Sequence, residues 1–230
     1  ASKAMINNVE IYSFESVEFF LDYITNEKKV LVAMNAEKIL KKDTRLKGII
    51  NNNIGYADGV GAVMALKQKG LDAIKIPGSE FWLDIVNRFY KLKSFYIVGS
   101  SQKVIDRTIE KLNNDFPAIN IVGYRNGYLK DGEKEQLKSD IVEKKPDIVF
   151  VAQGTPAQEY LMNDLMDVHK ALYMGLGGSF DVYTGYKKRA PKFYLDFHLE
   201  WFYRLLKEPT RISRQYILVK FLILLKMRML

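Results

Sequence analysis

The residues best placed for chemistry stand where a short apolar run, Ile54-Gly55-Tyr56-Ala57, stops at a single carboxylate. Asp58 is followed at once by Gly59-Val60-Gly61 and a small-residue helical pattern. A strand that ends in Asp-Gly-x-Gly and feeds a helix sets one acid at the rim of a sheet, with bare backbone N–H groups beside it. Such an acid can take a proton or cap the helix it precedes, and the local sequence admits both roles. Other turns repeat the arrangement. Asn35 follows the apolar run 29–34, Gly99-Ser100-Ser101 closes the run 94–99, Gln153-Gly154-Thr155-Pro156-Ala157-Gln158-Glu159 follows 148–152, and Gly175-Leu176-Gly177-Gly178-Ser179-Phe180-Asp181 follows 171–174. N–H groups at helix starts suit phosphate oxygens, and the amides of Asn35 and Gln158 suit a base or sugar edge. Each turn alone is ordinary strand-to-helix punctuation. Their repetition is what points to a ligand.

The elements that must position these turns alternate. Residues 9–14 read as an edge strand, 15–26 carry apolar positions at helical spacing, and 29–34 form a buried-type strand whose follower Asn35 caps a helix over 36–42. The helix after Asp58 runs over 60–69 and is stopped by Gly70. Ser79 predicts the N-cap of an aromatic amphipathic helix ending near Leu92. Strands over 94–99, 119–124 and 148–152 then alternate with helices over 101–114 and 131–144. Parallel strands need crossovers, and helices between them hide both sheet faces, so the pattern predicts an α/β, Rossmann-like, mostly parallel sheet with helices on both faces. Ligands of such sheets bind at the carboxyl ends of the strands.

Composition narrows the chemistry. A chain of 230 residues with 48% hydrophobic content fills one large α/β core. It has no cysteine and only two histidines, His169 and His198, so neither a disulfide framework nor a thiolate or histidine-rich metal centre is available. A net charge of +8 points to an anionic partner: a phosphorylated metabolite, an anionic membrane surface or nucleic acid. No secretion signal is visible, and Ala1-Ser2-Lys3-Ala4 reads as a remnant outside the fold. There is no Walker A lysine sequence, no G-x-G-x-x-G after a strand, and no D-x-D pair to hold a metal against a sugar-nucleotide diphosphate. Phosphate charge is then left to helix N-termini and basic side chains.

Basic side chains follow in Tyr186-Lys187-Lys188-Arg189-Ala190-Pro191. An aromatic-rich helix over 192–207 comes next, ended by Glu208-Pro209, with Arg211 and Arg214 opening the last segment. From Tyr216 onward that segment is apolar almost all round and finishes Lys226-Met227-Arg228. It is too short for a bilayer span. Its pattern fits an interfacial helix with flanking cations, with a helix packed on the domain or on another subunit as the second reading. The chain divides into an α/β core over 5–191 and a C-terminal helical, membrane-associating appendage over 192–230.

Six motifs stand in order: Tyr56-Ala57-Asp58-Gly59-Val60-Gly61, Ile76-Pro77-Gly78-Ser79-Glu80, Gly154-Thr155-Pro156-Ala157-Gln158-Glu159, Gly175-Leu176-Gly177-Gly178-Ser179-Phe180-Asp181, Arg189-Ala190-Pro191 and Leu199-Glu200-Trp201-Phe202-Tyr203-Arg204. In this order and over nearly the whole chain, the sequence resembles the WecG/TagA/CpsF glycosyltransferases. The resemblance implies a peripheral enzyme of the cytoplasmic face of the plasma membrane, acting in cell-surface polysaccharide synthesis. It would be an inverting, metal-independent transferase with no cofactor, moving N-acetylmannosamine, its uronic acid or a related hexose from a UDP donor to an undecaprenyl-diphosphate-linked sugar. It implies Asp58 as general base, Gly154, Gln158, Gly177 and Asp181 around the donor, and Asn35 near the reacting sugar. Gly59 and Gly61 would let donor and acceptor approach the backbone, Arg204, Arg211 and Arg214 would hold diphosphate, and Arg189 would bind substrate.

Many relatives carry Thr-x-Asn where this chain has Ala33-Met34-Asn35, a departure that bears on the donor sugar. A non-catalytic UDP-sugar-binding relative would keep the same glycine turns, and a homo-oligomer is compatible with the pattern. A nucleic-acid-binding protein would interleave aromatic and basic residues on one surface, whereas the aromatics here sit at helical core spacing. Nucleic acid is therefore not expected as a partner.

Overall fold

In the computed structural model the described residues are 1–187 and 212–230, with side chains described from 216 onward in the second stretch. Eight strands form one sheet: β1 (Ser2–Ile6), β2 (Val9–Ser13), β3 (Val30–Met34), β4 (Ile54–Ala57), β5 (Ser94–Gly99), β6 (Asn120–Arg125), β7 (Ile148–Ala152) and β8 (Leu172–Gly175). Their spatial order is β1-β2-β4-β3-β8-β7-β5-β6. Only the β1–β2 pair is antiparallel; the other pairs are parallel. Strands β4, β7 and β8 are buried along their whole length, as in Ile148–Ala152, which is why such strands read as unbroken apolar runs. The α/β expectation holds.

Among the described residues the helices are α1 (Val17–Ile24), α2 (Ala36–Leu40), α3 (Thr44–Asn51), α4 (Val60–Gln68), α5 (Gly78–Phe89), α6 (Gln102–Asp115), α7 (Glu133–Lys144), α8 (Ala157–Val168), α9 (Ser179–Tyr183) and α10 (Ile212–Lys226). They divide between the two faces. Leu46, Leu66, Leu137, Ile141, Leu165 and Phe221 bring α3, α4, α7, α8 and α10 to one core, and Phe20, Phe81, Trp82, Ile105 and Phe180 bring α1, α5, α6 and α9 to the other. The second core is strongly aromatic: Phe20 stacks on Phe14 at 3.8 Å and on Phe81 at 4.5 Å, and Trp82 meets the rings of Phe150, Phe180 and Tyr183 edge-on.

Three local expectations change. Ser2, Lys3 and Ala4 belong to the fold, because β1 pairs with β2 from Ser2↔Ser13 to Ile6↔Val9. The helix after Asn35 stops at Leu40, and a separate α3 follows, capped by the Asp43 carboxylate accepting from Leu46 N–H at 2.9 Å. Ser79 is not the cap of α5. That helix starts two residues earlier than a Ser79 cap implies, at Gly78 behind Pro77, with no side chain of its own capping it.

The sheet carries the turns to one edge. Met34 lies beside Ala57, Gly99 beside Ala152, and Val151 beside Gly175, so the segments that follow β3, β4, β5, β7 and β8 leave from the same carboxyl rim. After β4 the chain crosses to β5 on the far side of β3, β8 and β7, which places the β3–β8 junction between the two halves of the sheet. Open α/β sheets bind ligands at such a junction.

The C-terminal helix α10 packs against α2 and α4. Phe221 is fully buried there and Leu225 nearly so, while the Gln68 side-chain amide donates to Leu225 C=O at 2.8 Å. Phe221→Ala is expected to lower the free energy of docking by about 3 kcal/mol. Faster proteolysis within 212–230 at nearly unchanged core stability would register it; an unchanged digestion rate would show that the ring does not anchor the helix.

Candidate active site

Asp58 follows the last residue of β4. Its N–H and that of Gly59 both donate to Met34 C=O, at 3.0 and 3.3 Å, which ties the turn to the end of β3. Gly59, not Asp58, takes the N-cap position of α4, and no side chain caps that helix. The Asp58 carboxylate turns instead toward α5: Oδ1 accepts from Gly78 N–H at 2.7 Å. Ile76 N–H donates to Ala57 C=O at 2.8 Å and brings the approaching chain into place. The half-buried acid is therefore held across the rim at the positive end of a helix that begins 20 residues later in the chain. A charged acceptor at a helix N-terminus gives both partners a fixed orientation.

Asn35 stands next to this turn. Its Oδ1 accepts from Lys38 N–H at 2.9 Å, capping α2, and a Cβ on Gly59 would lie 3.4 Å from the Asn35 Cβ. Asn35, Asp58 and Gly59 are thus brought together. Ala33, the position of the departure, pairs with Tyr56 across β3 and β4, and its Cβ lies 3.5 Å from where a Cβ on Gly78 would be. The difference falls beside the acid. Gly61 is placed elsewhere: it is buried, and a Cβ there would come within 3.1 Å of the Phe221 ring of α10.

A second cluster forms where β7 and β8 end. Gly154 and Gly177 have φ of +82° and +56°, left-handed values that glycine adopts without strain. Between them lies Gln158, nearly fully buried in the first turn of α8. Its Oε1 accepts from Gly177 N–H at 2.9 Å and from Gly154 N–H at 3.2 Å. A Cβ on Gly175 would meet the Gln158 Nε2 at 2.4 Å, so the amide reaches this place only past a glycine. Gln158 shapes both glycine turns from beneath.

Beside it lies a feature absent from the sequence reading. Glu159 is completely buried, and its Oε1 accepts from Lys38 Nζ at 2.8 Å, Thr155 Oγ1 at 3.0 Å and Gln158 Nε2 at 3.2 Å. Lys38 is itself buried, three residues past Asn35 in α2. The ion pair joins the β3 turn to the β7 turn across the sheet junction. Its sequence signal was available: Glu159, Met162 and Met166 share the inward stripe of α8, an improbable place for an unpartnered charge.

Asp181 Oδ2 accepts from Ser100 Oγ at 3.2 Å, linking α9 to the turn after β5. Ser100 has φ of +56°, held by its N–H to Ala152 C=O at 3.0 Å and by its C=O from Gly127 N–H at 2.8 Å. Arg189, Arg204 and Arg211 lie outside the described residues, and Arg214 falls in α10 where its side chain is not described. Among the described residues no group of three or more His, Cys, Asp or Glu side chains could hold a metal ion.

The model of the WecG/TagA/CpsF glycosyl transferase family matches residues 5–230. The chain belongs to this family. It is a glycosyltransferase, and its reaction brings a sugar donor and an acceptor together. For the transferase, the Lys38–Glu159 pair fixes the framework of the rim. Removing one partner leaves an uncompensated buried charge, so Lys38→Met or Glu159→Leu is expected to lose about 3–5 kcal/mol in denaturant unfolding. The double variant should lose clearly less than the two single losses combined. Additive losses would show that the two charges do not act as a pair.

Proposed function

We propose that this transferase moves a sugar from a UDP donor to a lipid-diphosphate-linked sugar at a membrane surface, with inversion, in cell-surface polysaccharide synthesis. The carrying observation is the Asp58 carboxylate, fixed by Gly78 N–H at the carboxyl rim. A single base suffices for inversion by direct displacement. Asp58 takes the proton of the acceptor hydroxyl as that oxygen attacks the anomeric carbon from the face opposite UDP. The C–O bond to the diphosphate breaks, and UDP leaves with the electron pair. In this reading Asn35 lies beside the reacting sugar, and the turns at Gly154, Gly177 and Asp181 receive the donor. Arg189, Arg204, Arg211 and Arg214 neutralise diphosphate in place of a metal. The sugar is N-acetylmannosamine, its uronic acid or a related hexose.

Membrane association is supported by the outer face of α10. Tyr216, Val219, Ile223 and Met227 are each more than half exposed, with Lys220, Lys226 and Arg228 also exposed around them. Leu222 and Lys226, with Met64 and Gln68 of α4, line an open apolar groove of about 490 Å³. Among the described residues no helix is long and apolar enough to cross a membrane. The helix thus has an inner face committed to the protein and an apolar outer face with cations, the arrangement of a peripheral helix on anionic lipid.

Two experiments test this. Turnover is measured with a panel of UDP-sugars and a lipid-diphosphate acceptor, with and without chelator. Asp58→Asn keeps an oxygen for Gly78 N–H, so the fold should be unchanged, while transfer falls by about 10²–10⁴-fold. Equal turnover by variant and parent would remove Asp58 as base, and loss of activity in chelator would refute metal independence. Because α10 also covers core residues, its outer face is best tested by Val219→Ser, Ile223→Ser and Met227→Ser together. Retention on anionic liposomes should then drop severalfold at constant thermal stability. Undiminished binding would place the lipid contact elsewhere.

A further inference from the structure

Tyr56 stands in β4, two residues before Asp58. Its ring lies among Phe20 at 5.2 Å and Phe81 at 5.8 Å, and its hydroxyl is buried with no hydrogen-bond partner among the described residues. A phenylalanine would fill the same stack and leave no polar atom to satisfy. The hydroxyl oxygen lies at the start of α5. A Cβ added to Gly78 would stand 2.8 Å from the Tyr56 Oη and 3.6 Å from the Asp58 Oδ1. The phenol O–H, the helix-start N–H and the carboxylate therefore share one cradle. Burial, and next the Asp58 charge, push the phenol pKa well above its ordinary value, so the group stays protonated: it is a dipole beside the acid and not a second anion.

We propose that Tyr56 is a positioning residue for Asp58, its hydroxyl serving as a further donor to the carboxylate beside Gly78 N–H as the acceptor approaches, and that the missing side chain of Gly78 makes room for it. This rests on Asp58 being the base. The proton that moves is the acceptor's, to Asp58; Tyr56 keeps its own. Two donors restrict the carboxylate to one orientation, which is what an in-line displacement requires of its base. The Ile76-Pro77-Gly78 motif gains a role by the same geometry: it delivers one donor and leaves space for the other.

Tyr56→Phe, Gly78→Ala and the double variant test this in the full chain. Tyr56→Phe should keep or raise Tm, lower kcat about tenfold and leave both KM values within about twofold. Gly78→Ala drives a methyl against the hydroxyl and should lower Tm. With Phe at 56 the nearest remaining contacts of that methyl are Ala33 Cβ at 3.5 Å and Asp58 Oδ1 at 3.6 Å, both ordinary. The double variant should therefore recover Tm but not kcat, a split that packing alone does not produce. The carboxyl ¹³C shift of Asp58, assigned by its loss in Asp58→Asn and read without substrate, should move in Tyr56→Phe. An unmoved shift, a Tyr56→Phe enzyme as fast as the parent, or a fully active double variant would each overturn the proposal. A moved shift in a parent that transfers no sugar from any UDP donor would support the cradle and refute the proposed reaction.

Discussion

The hydrogen bond from Gly78 N–H to Asp58 Oδ1 closes a loop that the sheet leaves open. After β4 the chain makes α4, returns along the rim at Ile76 and Pro77, and only then enters the helix that crosses to β5. Without a partner for the first N–H of α5, this crossover would begin on an unsatisfied donor beside the buried hydroxyl of Tyr56. Asp58 supplies that partner from another segment. Asp58 thus ties the end of β4 to the start of α5, and its orientation is inherited from helix geometry.

A second constraint supports the first from the other side of the junction. Lys38 and Glu159 put opposite charges into the buried interior, where each is tolerated because of the other. The pair binds α2 to α8, and through Gln158 it reaches the backbone of Gly154 and Gly177. Buried polar contacts, not apolar packing, set the shape of the turns, because such contacts have few acceptable geometries and apolar ones have many.

How much of this is legible in the chain follows from the range of the interactions. The inner strands were readable because burial on both faces demands unbroken apolar runs such as Ile148–Ala152, and Asn35 was readable as a cap because its acceptor and donor are three residues apart. Strand β1 was not, since Ser2 and Lys3 lie on an exposed edge and carry no apolar pattern. Helix α3 was missed because Gly48 and Asn51 weaken its propensity, and tertiary burial of Leu46, Ile49 and Ile50 holds it. Ser79 looked like a cap because the rule is local, while the acceptor that α5 uses lies 20 residues upstream. Neither local reading of Asp58, base or cap of α4, includes the start of α5 whose N–H it accepts. The pairing of Lys38 with a residue 121 positions away has no local trace beyond an inward-facing charge.

Gly61 shows how this arrangement will colour mutational data. Three residues past the acid, within the first turn of α4, it faces the Phe221 ring, which an added Cβ would approach to 3.1 Å. A side chain there presses first on the Phe221 ring, which must shift by a few tenths of an ångström to admit even a methyl. Loss of turnover in a Gly61 variant is accordingly a report on the seating of the C-terminal helix, and a scan of this motif has two phenotypes to separate: one travelling through Asp58 to the chemistry, the other through Phe221 to the face that meets the lipid in the proposed reaction.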